Sequence, residues 1–306
     1  MIRFILARLA GLVAVLLFIS IFTFLIMHDV PGGPWNPGQR GLTDSQIAAL
    51  EARYGLDKPL HEQYLTWLSG AIRFDFGKSF QHPDESVVDV IKRTWPVTMH
   101  LGGMALLLAF SIGLPLGIVA AIKHNTIVDY IATLLSIVGL VTPHFVWAIL
   151  FILLFAMVLK WLPTGGWDEP KQWIMPVVVY SLAPMAIIAR YVRAAVLEAI
   201  QADYVRTARA KGLPERLVIT RHVLRNALIP LLTVLGPIIP DMLTGSMFVE
   251  AIFRVPGLGK YWVTSTTARD YTMILGLTSL WAVLIAITYL VTDILYTIAD
   301  PRIRYR

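Results

Sequence analysis

The 306-residue sequence contains no cysteine and few charged residues. Without cysteine the chain forms no disulfide and uses no thiol for catalysis or metal binding. Charged residues make up 15% of the sequence and hydrophobic residues 57%, with a mean hydropathy of +0.67. This composition is typical of a protein that crosses a membrane several times. The net charge is +6, and the basic residues cluster beside apolar runs. This placement favours a role in membrane orientation over nucleic-acid binding.

Motifs for catalysis and nucleotide binding are also absent. The sequence has no Gly-x-Ser-x-Gly elbow and no His-Glu-x-x-His zinc motif. Gly77-Lys78-Ser79 resembles the end of a phosphate-binding loop, but Ile72 stands where that loop requires glycine. Gly259-Lys260 fails in the same way, with Arg254 at the glycine position. We therefore predict that the chain is not an enzyme, holds no metal and binds no ATP itself.

Long apolar segments are what the sequence has in abundance. A bilayer core of about 30 Å requires roughly 20 apolar residues in a helix. The six candidate spans are Phe4–Met27, Val97–Ile122, Tyr130–Leu159, Trp173–Val196, Ala227–Phe253 and Met273–Ile298. The first lacks an evident signal-peptide cleavage site and is interpreted as a retained span, with a signal peptide as the alternative. The third is long enough to be tilted, and Arg190 and Arg193 near the end of the fourth are expected to snorkel to the interface.

Six spans place both termini on the same side of the membrane. If that side is the cytoplasm, the inner segments hold 14 Lys and Arg residues and the two short outer loops hold five. The loop of residues 28–96 is too long to count in the positive-inside rule. Both termini are therefore predicted to be cytoplasmic.

The chain divides into a first span (1–27), a helical outer loop region (28–96) and a five-span core (97–306). The core includes a cytoplasmic segment, 198–226. In the outer region, Thr43 and Gln46 form the pattern of a capping box, and Gly55 suits the end of that helix. Further helices are expected over His61–Ile72 and Glu85–Thr94. Their apolar faces pack on each other or on the membrane surface in the simplest interpretation, and contact a partner protein in the alternative.

Ionisable residues at membrane depth are costly and tend to face a bundle interior or water. Asp241, near the middle of the fifth span, is the best candidate for the wall of a translocation path. His144, beside Pro143 in the third span, is the second candidate. The alternative for each is a hydrogen bond within the bundle. Gly113 and Gly117 in the second span predict close approach of a neighbouring helix.

The basic segment from Asp203 to Pro230 lies between two apolar spans. Asp203 is placed to cap a short helix through Ala210, Gly212 to end it, and Pro214 to begin a second helix. Small residues, one aromatic residue and flanking arginines suit a plug that docks in a groove of another protein. A basic amphipathic helix resting on anionic lipid is the alternative.

The residues Arg206–Leu213 followed by Arg221–Pro230 are similar to the signature of the dipeptide, oligopeptide and nickel permease family of ABC importers. The general importer motif begins Glu-Ala-Ala, whereas this chain has Arg206-Thr207-Ala208, so no glutamate contact is carried over. Five further segments resemble the family: Tyr54–Pro59, Asp75–Gly77, Pro256–Gly259, Arg269–Tyr271 and Asp300–Arg304. The long outer loop and Leu162–Trp167 look most like the B-type subunit of oligopeptide permeases.

The resemblance implies an all-α membrane protein with six transmembrane helices and the type I importer core, in the bacterial cytoplasmic (inner) membrane. It implies a homologous C-type permease partner, two cytosolic ATPase subunits that bind ATP and Mg, and a periplasmic or lipid-anchored peptide-binding protein. Coupling to the ATPase is expected at Tyr204, Val205, Arg206, Ala208, Arg209, Lys211, Gly212 and Leu213. Outer loops 28–96 and 254–272 are expected to dock the binding protein, at positions including Gln46, Pro256, Gly257 and Lys260.

The implied function is that of a permease subunit in an ATP-driven peptide importer, most closely an oligopeptide importer, working by alternating access. The same transporter class carrying dipeptide, nickel chelate, glutathione or antimicrobial peptide is the first alternative. A membrane scaffold or an intramembrane enzyme is the second, and the absence of a catalytic constellation argues against the enzyme.

Overall fold

The computed structural model describes residues 2–35, 43–228 and 230–299, with backbone only for 2–7 and 296–299. The described part is helical, with no strand beyond an isolated bridge between Lys78 and Ser86. The motif Asp300–Arg304 lies outside the described residues.

The helices in chain order begin with α1 (Ile2–Asp29), α2 (Asp44–Tyr54), α3 (Leu60–Ala71), α4 (Val87–Ile122), α5 (Ile127–Val141) and α6 (His144–Phe151), which continues as a π-helix over Ile152–Val158. They continue with α7 (Pro170–Gln201), α8 (Asp203–Ala210), α9 (Glu215–Leu217), a π-helix over Val218–Val223 and α10 (Leu224–Ala227). The last four are α11 (Leu231–Thr244), α12 (Met247–Ile252), α13 (Gly259–Thr267) and α14 (Tyr271–Ala299).

Within the described residues, five segments are long and apolar enough to cross a membrane, and a sixth counts if a bent helix pair is one span. That pair is α5 with the helix that begins at His144, bent by 103°. The third predicted span, Tyr130–Leu159, is therefore not one straight helix but is broken at Thr142 and Pro143. Thr142 is extended, with ψ of 121°, because the residue before a proline is pushed out of the helical region. Pro143 then has no N–H with which to continue α5.

The helix predicted over Glu85–Thr94 is not separate from the second span. Both belong to α4, which runs unbroken from Val87 through Pro96. Pro96 and Lys92, four residues earlier, are both exposed. Pro96 has no N–H to donate to the carbonyl of Lys92. Because this turn is exposed, the missing hydrogen bond costs less free energy than it would in a packed interior. The helix therefore continues through Pro96.

The helix predicted after Thr43 is confirmed as α2. Its capping box is complete, and Gln46 Oε1 accepts from the backbone N–H of Thr43 at 2.9 Å. Gly55 follows the helix with φ of 70°, the left-handed conformation that glycine adopts without strain. The second predicted loop helix is α3, which begins at Leu60.

The chain forms two compact units, the first consisting of Met1–Pro96 with Leu258–Leu284. Its buried core joins Phe24 and Met27 of α1 with Trp35, Phe80, Tyr271 and Leu275. The carboxylate of Asp270 is 2% exposed and accepts hydrogen bonds from the Ser79 hydroxyl, from the Phe80 N–H at 3.1 Å and from the Met273 N–H at 3.2 Å. One buried acid therefore ties two distant stretches of the chain together.

The second unit consists of Val97–Gly257 with Ile285–Arg306. Gly113 and Gly117 of α4 lie against the backbone of α7, as predicted. A Cβ at Gly113 would stand 2.7 Å from the carbonyl oxygen of Met185, and one at Gly117 would stand 2.5 Å from that of Ala189. These glycines allow α4 and α7 to pack with their backbones nearly in contact.

Candidate functional site

The segment after α7 forms the predicted helix, turn and second helix. Helix α8 covers Asp203–Ala210, Gly212 has φ of 75°, and Pro214 precedes α9. The predicted N-cap of α8, Asp203, is one residue too late in the sequence. Ala202 holds the N-cap position, and Asp203 is the first helical residue, with a carboxylate oxygen 3.5 Å from Arg206. An acid in the first turn still interacts favourably with the helix dipole.

A bidentate ion pair spans the turn. Arg209 Nε lies 3.1 Å from one carboxylate oxygen of Glu215, and Nη2 lies 2.6 Å from the other. The hydrogen bond from Arg209 lowers the pKa of Glu215 below its usual value of 4.5. Parallel N–H···O bonds fix geometry as well as charge, so the pair holds the end of α8 against the start of α9.

The residues expected to couple to an ATPase fall into two groups by exposure. Val205 and Ala208 are buried and Leu213 is half-buried, and all three pack in the core of the second unit. Tyr204, Arg206, Arg209, Lys211 and Gly212 are exposed. The expectation that Val205 and Ala208 form part of a surface plug is corrected, because both pack into the core of the second unit and leave the other face of α8 exposed. Their spacing of three residues is that of one helical face.

An ion pair between α5 and α7 was not predicted from the sequence. Arg193 of α7 donates to both oxygens of Asp129 on α5, from Nε at 2.5 Å and from Nη2 at 2.8 Å. Asp129 is 1% exposed and also accepts from the backbone N–H of Asn125 at 3.0 Å. Arg193 was expected to snorkel, and instead it joins two helices. The two residues are 64 positions apart, so no local pattern connects them.

The two candidate path residues lie near the same tyrosine. Asp241 of α11 is exposed, and its backbone carbonyl accepts from the Tyr180 hydroxyl at 3.1 Å. The ring of His144, at the start of α6, meets the Tyr180 ring edge-on at 5.8 Å. The buried Nε2 of His144 has no hydrogen-bond partner among the described residues. His144 and Asp241 therefore lie in one polar region around Tyr180. Tyr180 was not predicted from the sequence.

A buried acid lies further along the same part of the chain. Glu250 is 1% exposed and accepts a hydrogen bond from Thr98 Oγ1 at 3.0 Å. Gly245 and Gly257 approach its carboxylate so closely that a Cβ at either position would collide with it. Glu250 therefore organises the loops on both sides of α12.

The four predicted docking positions differ in exposure. Gln46, Pro256 and Lys260 are exposed. Gly257 is buried beside Glu250, so it shapes its loop and does not present a contact surface. The Nζ of Lys260 lies 5.0 Å from the ring centroid of Tyr261.

The chain matches two family models that together cover most of its length. The family described as "Binding-protein-dependent transport system inner membrane component" matches residues 113–305, and the N-terminal part of such a membrane component matches residues 1–102. The chain belongs to this family. It is therefore a multi-pass protein of the inner membrane. A member of this family works as the membrane component of an ABC importer.

Two curated relatives match along essentially their whole length. The chain is 41% identical over 304 residues to the dipeptide transport system permease protein DppB of Bacillus subtilis, covering 99% of this chain and 98% of the relative. It is 40% identical over 307 residues to the oligopeptide transport system permease protein OppB of Escherichia coli K12, covering 100% of both chains. These relatives support the B-type subunit resemblance.

One solved structure supports the fold. A chain of the MetNI methionine ABC transporter, solved in inward-facing conformations, superposes with a TM-score of 0.57 and 17% identity. The match covers 69% of this chain and 96% of that chain. This chain therefore has the fold of an ABC-importer permease, and about a third of its residues lie outside the part that superposes.

Proposed function

We propose that this chain is the B-type permease subunit of an ATP-driven, binding-protein-dependent peptide importer and forms half of a translocation path by alternating access. The observation that carries the proposal is the 40–41% identity to peptide permeases over the full length. The chain itself supplies a path and a mechanical link. ATP and Mg would bind to separate ATPase subunits.

The mechanical link is the segment Tyr204–Leu213. Buried Val205 and Ala208 make α8 move with the bundle, while exposed Tyr204, Arg206 and Lys211 face outward. Movement of an ATPase seated on the outward face would be transmitted through these anchors. The arginines suit carboxylates on the receiving protein.

The path would be lined in part by Asp241 and His144. Asp241 is an exposed acidic residue in a mid-span position, and a carboxylate that faced hydrocarbon would be costly. A water-filled path, completed by a homologous C-type permease, removes that cost. Both termini would then lie in the cytoplasm, and a periplasmic or lipid-anchored peptide-binding protein would dock on the opposite side.

The cargo is proposed to be oligopeptide. The relatives at 41% and 40% identity are named for dipeptide and oligopeptide transport respectively, so identity alone does not rank the two. Nickel chelate, glutathione and antimicrobial peptide are the other cargoes of the class to be compared.

The test is reconstitution. The chain would be co-expressed with candidate permease, ATPase and binding-protein subunits from the same genome, purified through this chain and placed in vesicles. We expect both ATPases to co-purify, and uptake of peptides of four or five residues to exceed uptake of dipeptides and of nickel chelate. Purification without any ATPase would favour a membrane scaffold, and faster dipeptide uptake would reassign the cargo.

A further inference from the structure

A cavity of about 630 Å³ lies within the first unit. Its walls come from the last turn of α1, the end of α2, one face of α3, the segment 75–80 and the first turn of α14. The volume falls in the range of sites that bury small ligands, about 300–1,000 Å³. The family relationship assigns no role to it.

The cavity has an aromatic floor. Phe24, Tyr54, Trp67, Phe80 and Tyr271 all line it, and several of these rings pack on one another, such as Tyr54 on Phe80 at 4.9 Å between centroids. The indole Nε1 of Trp67 is buried without a hydrogen-bond partner among the described residues. An apolar wall with an unsatisfied donor beside it suits a ligand with a hydrocarbon body and an oxygen-bearing part.

The polar part of the lining is basic. Arg53, Lys58 and Lys78 line the cavity, and Asp75 is the acidic residue among its described walls. Asp75 accepts from the backbone N–H of Gly77 at 3.0 Å. None of the three basic side chains forms an ion pair within the described chain. Clustered cations beside a low-dielectric wall attract an anion.

The position of the cavity gives it access to lipid. Two of its walls, α1 and α14, are membrane helices. Phe24 of α1 points into the unit, while Phe22, Leu25 and Ile26 are exposed on the other side of the same helix. A ligand between the last turn of α1 and the first turn of α14 would thus lie at the boundary between hydrocarbon and headgroups.

We propose that this cavity binds one anionic phospholipid from the adjacent leaflet. The acyl chain would lie along the aromatic floor, and Arg53, Lys58 and Lys78 would receive the headgroup phosphate. A transported peptide fits the lining less well, because its ammonium terminus would meet an excess of basic side chains. The lipid would join the two parts of the first unit.

The test is native mass spectrometry of the purified transporter complex, stripped of lipid and then titrated with phosphatidylglycerol, phosphatidylcholine or glycerol 1-phosphate. We expect one phosphatidylglycerol to be retained at concentrations where phosphatidylcholine is not. The double variant Lys58→Gln/Lys78→Gln should weaken that retention at least about fivefold. The matched control Arg73→Gln/Lys92→Gln removes two exposed charges of the same unit outside the cavity and should retain the lipid like the parent.

A second variant tests whether the lipid needs the volume of the cavity, independently of the basic side chains that line it. Ala52 is exposed on α2 and lines the cavity, so Ala52→Trp fills it and should abolish retention while the complex still elutes as a single species. Equal retention of the two phospholipids, or undiminished retention by Ala52→Trp, would overturn the proposal. Glycerol 1-phosphate that competes as well as the lipid would show a site for the phosphate alone and would overturn it as well.

Discussion

Gly212 has φ of 75°, and a Cβ built there would meet no atom within 4 Å. Space is therefore not what requires glycine at this turn; the backbone conformation is. We predict that Gly212→Val strains the turn after α8 and lowers peptide-stimulated ATP hydrolysis by tenfold or more. Hydrolysis would be measured in vesicles, with assembly verified by co-purification.

The matched control is Gly212→Asn, because asparagine tolerates the left-handed region far better than a β-branched residue. It adds a side chain in the same open space and should keep most of the stimulated hydrolysis. Normal stimulation in Gly212→Val would remove the basis for assigning this turn to coupling.

Asp241 allows a test of whether the translocation path contains water at mid-span. We predict that Asp241→Cys reacts with a water-soluble thiol reagent, since a mid-span carboxylate is expected to face water. The chain has no other cysteine to compete. Phe22→Cys, on the exposed apolar face of α1, is the control and should react at least about tenfold more slowly. Equal protection of both positions with and without ATP would place Asp241 away from the path.

Residue patterns predicted the turn at Gly212 but not the division of α8 into a buried and an exposed face. Val205 and Ala208 have the spacing of one helical face, but the same residues also suit a docking plug, so the pattern alone does not show that they are buried. No comparable pattern pointed to Tyr180 or Asp129. Their partners are far away in sequence, so only tertiary packing brings them together.

At the scale of elements, the contact between α4 and α7 depends on glycine. A Cβ at Gly117 would stand 2.5 Å from the carbonyl oxygen of Ala189, whereas one at Gly103 of the same helix would meet no atom within 4 Å. We predict that Gly117→Ala destabilises the protein by about 1–3 kcal/mol through overpacking. The measurement is the thermal unfolding midpoint in detergent.

Gly103→Ala makes the same chemical change without a collision. It should leave the midpoint unchanged or raise it by the equivalent of at most about 1 kcal/mol, because alanine is the better helix former. Equal losses in the two variants would mean that the close approach of α4 and α7 does not limit stability.

The ion pair between α8 and α9 should respond to acid. Arg209 lowers the pKa of Glu215 in the folded protein, so the pair stabilises the turn above the usual glutamate pKa and is lost as pH falls through the lowered value. The pair is exposed, so its contribution is below about 1 kcal/mol. A spin label on Lys211→Cys should become more mobile as pH falls.

Glu215→Gln provides the comparison for this pH dependence. It should give the mobile spectrum at neutral pH and no further change on acidification, whereas Asp203→Asn should keep the parent's response. A pH response that persists in Glu215→Gln would have to come from another group.

Prolines show why element boundaries were harder to predict than elements. Pro96 lies within α4, and Pro176 and Pro184 lie within α7, yet Pro143 separates two helices bent by 103°. The same local rule applies to each proline. Whether a helix continues through it depends on whether the surrounding structure accommodates the unpaired carbonyl, which sequence alone does not specify.

At the scale of the whole molecule, the outer loops are proposed to receive the binding protein. Single cysteines at Gln46 and Lys260, both exposed, should form cross-links with the binding protein during turnover. Lys211→Cys, in the proposed coupling segment, is the control and should give none. Transport without an adduct from any position of a panel across both loops would place the docking surface elsewhere, such as on the partner permease.

Asp270 and Ser79 are 191 residues apart in the chain, which has a consequence for biosynthesis. At roughly 5–20 residues per second, a ribosome needs about 10 to 40 seconds to make the stretch between them. During that interval the aromatic rings of the amino-terminal third have been synthesised but the residues that complete their core have not. During this interval the aromatic side chains of the nascent chain lack their core partners Tyr271 and Leu275. An insertase or chaperone that covers exposed apolar surface would therefore act on the chain mainly at this stage.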